Sequence, residues 1–171
     1  TERFCDPDKS ATRGDYTTIG NLAPRFFQAL DKLERGASRT EVNAIRSEIR
    51  CACEAAAHDT PGLFSLTVPT GGGKTLSAMA FAMRHAIRHA KRRIIYVIPY
   101  TSIIEQTAKT LGGIFGPENI VEHHSNLDPE RSAPRAELAS ENWDAPIIVT
   151  TSVQFFESLY AAKTGAARKL H

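Results

Sequence analysis

The run LFSLT, the segment VPTGGGKT and a helical pattern opening at Lys74 follow one another without a break, and no other stretch constrains the fold as tightly. Glycines let a backbone curl until successive N–H groups face one side, and a helix starting directly behind adds its positive end. Such a loop cradles phosphate. Gly71, Gly72 and Gly73 supply the curl, Lys74 reaches toward the β- and γ-phosphates of a nucleotide, and Thr75 offers its hydroxyl to Mg²⁺. One position is unusual. Val68 stands where the strictest form of the loop, G-x-x-x-x-G-K-[ST], has a glycine.

The apolar pattern around the loop sets the fold class. LFSLTV, RIIYVI and PIIVT are short apolar runs with no polar alternation, as in strands buried on both faces, and a further short strand is expected near Ile120. Helices are expected between them. One runs from about Lys74 to His89, one from a Ser102/Glu105 capping box through about Leu111, and one over SVQFFESLYAA with Ser152 as its cap. Upstream, Leu22, Phe26, Phe27, Leu30 and Leu33 fall at helical spacing. Ser38 with Glu41 predicts a second capping box, opening a helix whose inner face is Val42, Ile45, Ile49 and Cys53. Strands alternating with helices predict an α/β domain, a parallel β-sheet flanked by helices. Residues 123–146 make a polar stretch too long for an ordinary connection, and a short helix is expected around Pro129–Ala139.

Composition narrows the setting more than the activity. With 171 residues, 42% of them apolar, the chain is long enough to bury one domain's core. A net charge of +2 permits nucleic-acid contact without arguing for it. Cys5, Cys51 and Cys53 lack the spacing of a disulfide framework, and no apolar stretch approaches the roughly 20 residues of a membrane span. A soluble, reduced, cytoplasmic protein is expected.

Two further stretches carry a resemblance. The loop form P-T-G-x-G-K-T is similar to that of superfamily 2 helicases, which makes Pro69 and Thr70 part of the motif. VIPYTSIIEQTAK resembles helicase motif Ia, a turn at a strand end that contacts one nucleic-acid strand. Carried over, Pro99, Thr101 and Ser102 face phosphates and Gln106 lies near the same surface. IIVTTSVQFFESL resembles the next helicase motif, with Thr150, Thr151 and Gln154 as the candidates. Hydroxyls and helix N-termini suit phosphate contact that ignores base sequence, although the same residues also serve as ordinary helix caps.

Together with EHHSNLD and LASENWDAPIIVTTSVQFFESLYA, these segments resemble the CRISPR-associated helicase–nuclease of type I systems, most of all its type I-C-like branch. The likeness covers about Val42 to His171. It implies a P-loop NTPase (RecA-like) domain, with residues 38–171 forming the N-terminal part of the first such domain. Residues 1–37 are then a linker, with a short helix, from an upstream HD nuclease domain. The resemblance also implies ATP and Mg²⁺ as cofactors, single-stranded DNA and a CRISPR surveillance complex as partners, and movement in the 3′-to-5′ direction.

Hydrolysis in that superfamily needs an acidic D-E-x-[DHQ] motif at the end of a strand, to hold Mg²⁺ and orient the attacking water. No apolar run here ends in one. In the family that motif follows an RKLH-like segment, so the domain is expected to be incomplete at its C-terminal end and the chain to turn over ATP negligibly. A P-loop kinase or GTPase is the alternative within enzymes, although N-K-x-D is absent. A nucleotide-binding interaction module that never hydrolyses is the alternative outside them. His123 and His124 are adjacent, and on a strand would point to opposite faces, which makes them poor joint metal ligands. Asn43 and Arg46 lie where an upstream base-contacting element could sit.

Overall fold

The computed structural model describes residues 16–99, 101–123, 143 and 145–160. The helix expected around 129–139 and His124 lie outside these. The chain divides into two compact units: residues 18–94, and a second whose described part is residues 16–17 and 95–160.

The first unit is helical. It contains α1 (Ile19–Gly36), α2 (Glu41–Ala56) and α3 (Lys74–Arg88). Thr18 caps α1 by accepting the Asn21 N–H at 3.3 Å, and Thr40 caps α2 by accepting the Asn43 N–H at 3.3 Å. The expected Ser38/Glu41 box does not close. A box spans Ncap to N3, and Glu41 is the first residue of α2 rather than the third. The core is built from Leu22, Phe26 and Leu30 of α1 and Met79, Ala80, Met83 and Ala86 of α3, with Cys53 and Ala57 from α2 and its end. Those positions recur every three or four residues, as one face of a helix requires.

Helix α2 faces its neighbours differently from its apolar pattern. Val42 and Ile45 are 54% and 47% exposed, while Arg50 is turned inward. The Arg50 guanidinium pairs with Glu34 at 2.8 Å and Asp31 at 3.3 Å on α1, and with Glu54 at 3.6 Å on its own helix. Glu54 in turn takes Arg84 of α3 at 3.0 Å, and Arg84 lies 3.9 Å over the Phe27 ring. A charged seam thus joins the three helices. A half-buried guanidinium whose two terminal nitrogens pair with carboxylates, while its Nε has no hydrogen-bond partner among the described residues, fixes the helix's rotation, because losing those pairs would be costly. Two apolar side chains near the exposed end of α2 are too little to oppose that.

The run LFSLTV does not form the expected strand. Residues 63–69 have no ladder partner among the described residues, and Leu63, Phe64 and Leu66 are all exposed. An unalternating apolar run signals what a strand would bury, but a strand exists only through backbone bonds to a neighbour. Phe64 finds ring contacts instead, with Phe81 and His85 of α3 at centroid distances of 4.7 and 5.6 Å.

The second unit holds a three-stranded parallel sheet in the order β1 (Ile94–Ile98), β3 (Ile147–Thr151), β2 (Ile120–His123). Pairing of β2 with β3 runs from Ile120 opposite Ile147 to His123 opposite Thr150. Helix α4 (Thr101–Phe115) connects β1 to a short 3-10 turn before β2, and α5 (Ser152–Leu159) follows β3. Every residue of β3 is buried, as expected of a central strand of a parallel sheet. Val121, Trp143, Ala145 and Ile148 form a core cluster that Tyr16, Ile95 and Phe155 complete. Buried Asn119 fastens the turn, donating from Nδ2 to the Phe115 carbonyl at 2.9 Å and accepting the Thr17 N–H at 3.3 Å. Two caps differ from expectation by one residue. Helix α4 already includes Thr101, so Ser102 is inside it, and Thr151 rather than Ser152 caps α5.

Candidate nucleotide and nucleic-acid sites

The loop Val68–Thr75 lies in the first unit, immediately before α3. Gly71 and Gly73 have φ of +85° and +79°, in the left-handed region that favours glycine. Between them the Gly72 N–H donates to the Pro69 carbonyl at 3.1 Å, closing a turn. Gly72 must be glycine for another reason. A Cβ there would run into Cγ1 of Val68 and stand 3.1 Å from the Pro69 carbonyl oxygen. Val68 therefore occupies space over the loop that the strictest motif leaves empty, and Gly72 makes room for it.

The loop's charge is also placed. Lys74 Nζ donates to the Val68 carbonyl at 2.7 Å, which holds the ammonium across the mouth of the loop and leaves two of its three protons for a ligand. Gly73 is the N-cap of α3 and provides no side-chain acceptor, so the first N–H groups of α3 have no capping side chain. Free N–H groups, a helix's positive end and a tethered ammonium are complementary to a polyphosphate. Thr70 and Gly71 are exposed and Thr75 is half-buried, one residue into the helix, where its hydroxyl fits the Mg²⁺ role given by the motif. Triphosphate fits the residues present, with the Thr75 hydroxyl as one ligand for its metal.

On the other side of the loop, Arg46 of α2 donates from Nε and Nη2 to the Gly71 carbonyl at 2.9 and 2.6 Å. Its Nη1 donates to Asn43 Oδ1 at 2.9 Å. A groove of about 1000 Å³ opens beside Gly73, Leu76 and Ser77 between α1 and α2, with Asn43 and Arg46 in its wall. The fork on Gly71 could not be read from sequence, because 25 residues separate the two partners.

The remaining candidates lie in the second unit. Pro99 follows β1, Thr101 and Ser102 open α4, and Gln106 is exposed on that helix. Thr150 and Thr151 end β3, the neighbour of β1, so both turns fall at the carboxyl end of a parallel sheet, where open α/β sheets bind ligands. The two threonines are not equivalent to a ligand. Thr150 is fully buried and its hydroxyl donates to the His123 carbonyl at 2.9 Å. Thr151 accepts the Gln154 N–H at 3.1 Å, which caps α5. Gln154 is half-exposed, and its carbonyl accepts the Ser158 hydroxyl at 2.8 Å. His123 packs edge-on to Trp143, with ring centroids 5.8 Å apart, and Trp143 stacks on Phe155. Among the described residues no group of three or more His, Cys, Asp or Glu side chains could hold a metal ion, and no helix is long and apolar enough to cross a membrane.

A glycine loop that opens a helix, in an α/β chain with a parallel sheet, defines the phosphate-loop nucleotide-binding class. Within that class the chain belongs to the DEAD/DEAH box helicase family, whose model matches residues 50–170. It is similar to the CRISPR-associated nuclease/helicase Cas3 of Haloferax volcanii, at 31% identity over an alignment of 167 residues taking in 82% of this chain. The chain spans 18% of the length of that relative.

Proposed function

We propose that this chain is the ATP-gripping and DNA-contacting part of an ATP-dependent single-stranded DNA helicase that works in CRISPR antiviral defence in the cytoplasm. ATP with Mg²⁺ sits in the loop Thr70–Thr75, with the β- and γ-phosphates on Lys74 and the α3 N-terminus and the metal on Thr75. Pro99, Thr101, Ser102, Gln106, Thr151 and Gln154 contact the DNA backbone, and Thr150 supports them by holding the end of β3. The 3′-to-5′ direction, the HD nuclease domain and the surveillance complex as partners follow from the family resemblance.

What carries the reading is the phosphate loop: Lys74 tethered across glycines in left-handed conformation, in a chain that matches the helicase family. The chain by itself is proposed to bind ATP and turn it over negligibly, because no strand among the described residues ends in Asp-Glu to place water and metal. Titration with a fluorescent ATP analogue and with labelled single-stranded DNA tests this. ATP-sensitive DNA binding that weakens steeply with salt supports it. Nucleotide binding with no DNA binding at low salt would favour a kinase-like or purely interacting module. Turnover matching an intact helicase, and lost on Lys74→Ala, would refute the inactivity.

A further inference from the structure

Asn43 and Arg46 stand beside a groove, as residues that read a base would, yet their polar atoms are directed elsewhere. The Arg46 Nε and Nη2 both reach one acceptor, the Gly71 carbonyl, and Nη1 is held by Asn43 Oδ1. Asn43 is itself fixed, since its Nδ2 donates to the Ser38 carbonyl at 2.9 Å. The Arg46 stem lies 3.6–4.0 Å from where a Cβ of Gly73 would stand. One side chain therefore bonds to Gly71 and lies over the space beside Gly73.

We propose that Arg46 is a positioning residue for the phosphate loop, acting through the Gly71 carbonyl and not on the nucleotide's base; this rests on the nucleotide-binding reading above. The peptide joining Gly71 to Gly72 carries a carbonyl and an N–H that point in opposite directions. In the structure its N–H is bonded to the Pro69 carbonyl and its oxygen to Arg46, so the peptide is held at both ends. Sterics do little to hold it. Gly71 has no described heavy atom within 4 Å of its would-be Cβ, and glycine crosses between φ regions freely. Without the fork this peptide is held only through the Gly72 N–H on the Pro69 carbonyl, so the glycines can leave the curl that sets the loop against phosphate, and anion affinity falls. The chain Ser38–Asn43–Arg46–Gly71 ties the loop's shape to the start of α2, with the planar guanidinium as the part a lysine cannot replace.

The experiment is displacement of a fluorescent ATP analogue from the purified protein by ATP, GTP and inorganic tripolyphosphate. With Arg46→Ala, affinities for ATP and tripolyphosphate are expected to fall by the same factor, on the order of tenfold, while the ATP-to-GTP ratio stays unchanged. Arg46→Lys should recover only part of the loss. Asn43→Ala, which leaves Arg46 in place but loosens it, should show the same pattern at about two- to threefold, and it serves as the test if Arg46→Ala does not fold. An ATP loss with tripolyphosphate affinity intact and a collapsed ATP-to-GTP ratio would overturn the proposal, because Arg46 would then be reading the base. Unchanged affinity for tripolyphosphate in both variants would overturn it as well. A native protein that binds neither ATP nor tripolyphosphate would instead sink the nucleotide-binding reading itself.

Discussion

The phosphate loop and the threonine turns resemble known motifs equally well, yet they use their polar groups in opposite ways. In the loop the functional groups face out. Thr70, Gly71 and Lys74 are exposed, and their fixed conformation comes from backbone bonds and from Arg46. At the end of β3 the polar groups face in. Thr150 is fully buried and Thr151 nearly so, and both hydroxyls already have protein partners. A motif match therefore carries two different messages. In the first region it falls on exposed groups; in the second it falls on two threonines whose hydroxyls already hold the end of β3 and the cap of α5.

Substitutions can break that contrast, beginning with the loop. Lys74→Ala removes the tethered ammonium and should weaken ATP binding by at least tenfold, read by fluorescent-nucleotide titration, with the unfolding temperature nearly unchanged. Gly72→Ala places a methyl against Val68 and should reduce ATP affinity by a similar order. Val68→Ala combined with it should restore part of the loss, a coupling on the order of 1 kcal/mol in a double-mutant cycle. Independent, additive effects would show that Val68 and Gly72 do not share the space the structure gives them.

At the sheet the expected effect moves from binding to stability. Thr150→Val should lower unfolding free energy by about 1–2 kcal/mol by removing the hydroxyl that donates to the His123 carbonyl, and should leave DNA affinity unchanged when extrapolated to the folded fraction. A loss of DNA binding without a loss of stability would give Thr150 the direct contact its burial argues against. Thr151→Ala should cost about 1 kcal/mol through the lost cap.

The smallest effect concerns the cysteines. Burial pushes the Cys53 thiol above its ordinary value of 9.0, whereas Cys51 is exposed, so a thiol reagent should label Cys51 well before Cys53. Because the folded state holds the Cys53 proton more tightly, its contribution to stability is complete below pH 9.0 and declines as pH rises above that value. A Cys53→Ala variant should lack that alkaline component in a stability–pH series.

The sequence by itself determined the parts that depend on neighbours along the chain. The glycines and Lys74 sit within a few residues of one another, so their loop, the helix behind it and the helical spacing of Leu22, Phe26 and Leu30 were all legible. Strand β3 was legible because full burial removes polar alternation, and β1 because its residues are apolar without a break, although Val97 is exposed. Tertiary structure decided what depends on partners far away. LFSLTV has a strand's composition but no ladder partner among the described residues. Helix α2 turns its charged face inward because Arg50 meets Asp31 and Glu34, carboxylates on another helix. The Arg46 fork and the burial of Thr150 likewise rest on contacts 25 and 27 residues apart in the chain. Residue type and spacing fix which groups a chain offers; only packing decides whether each group meets a ligand or another part of the protein.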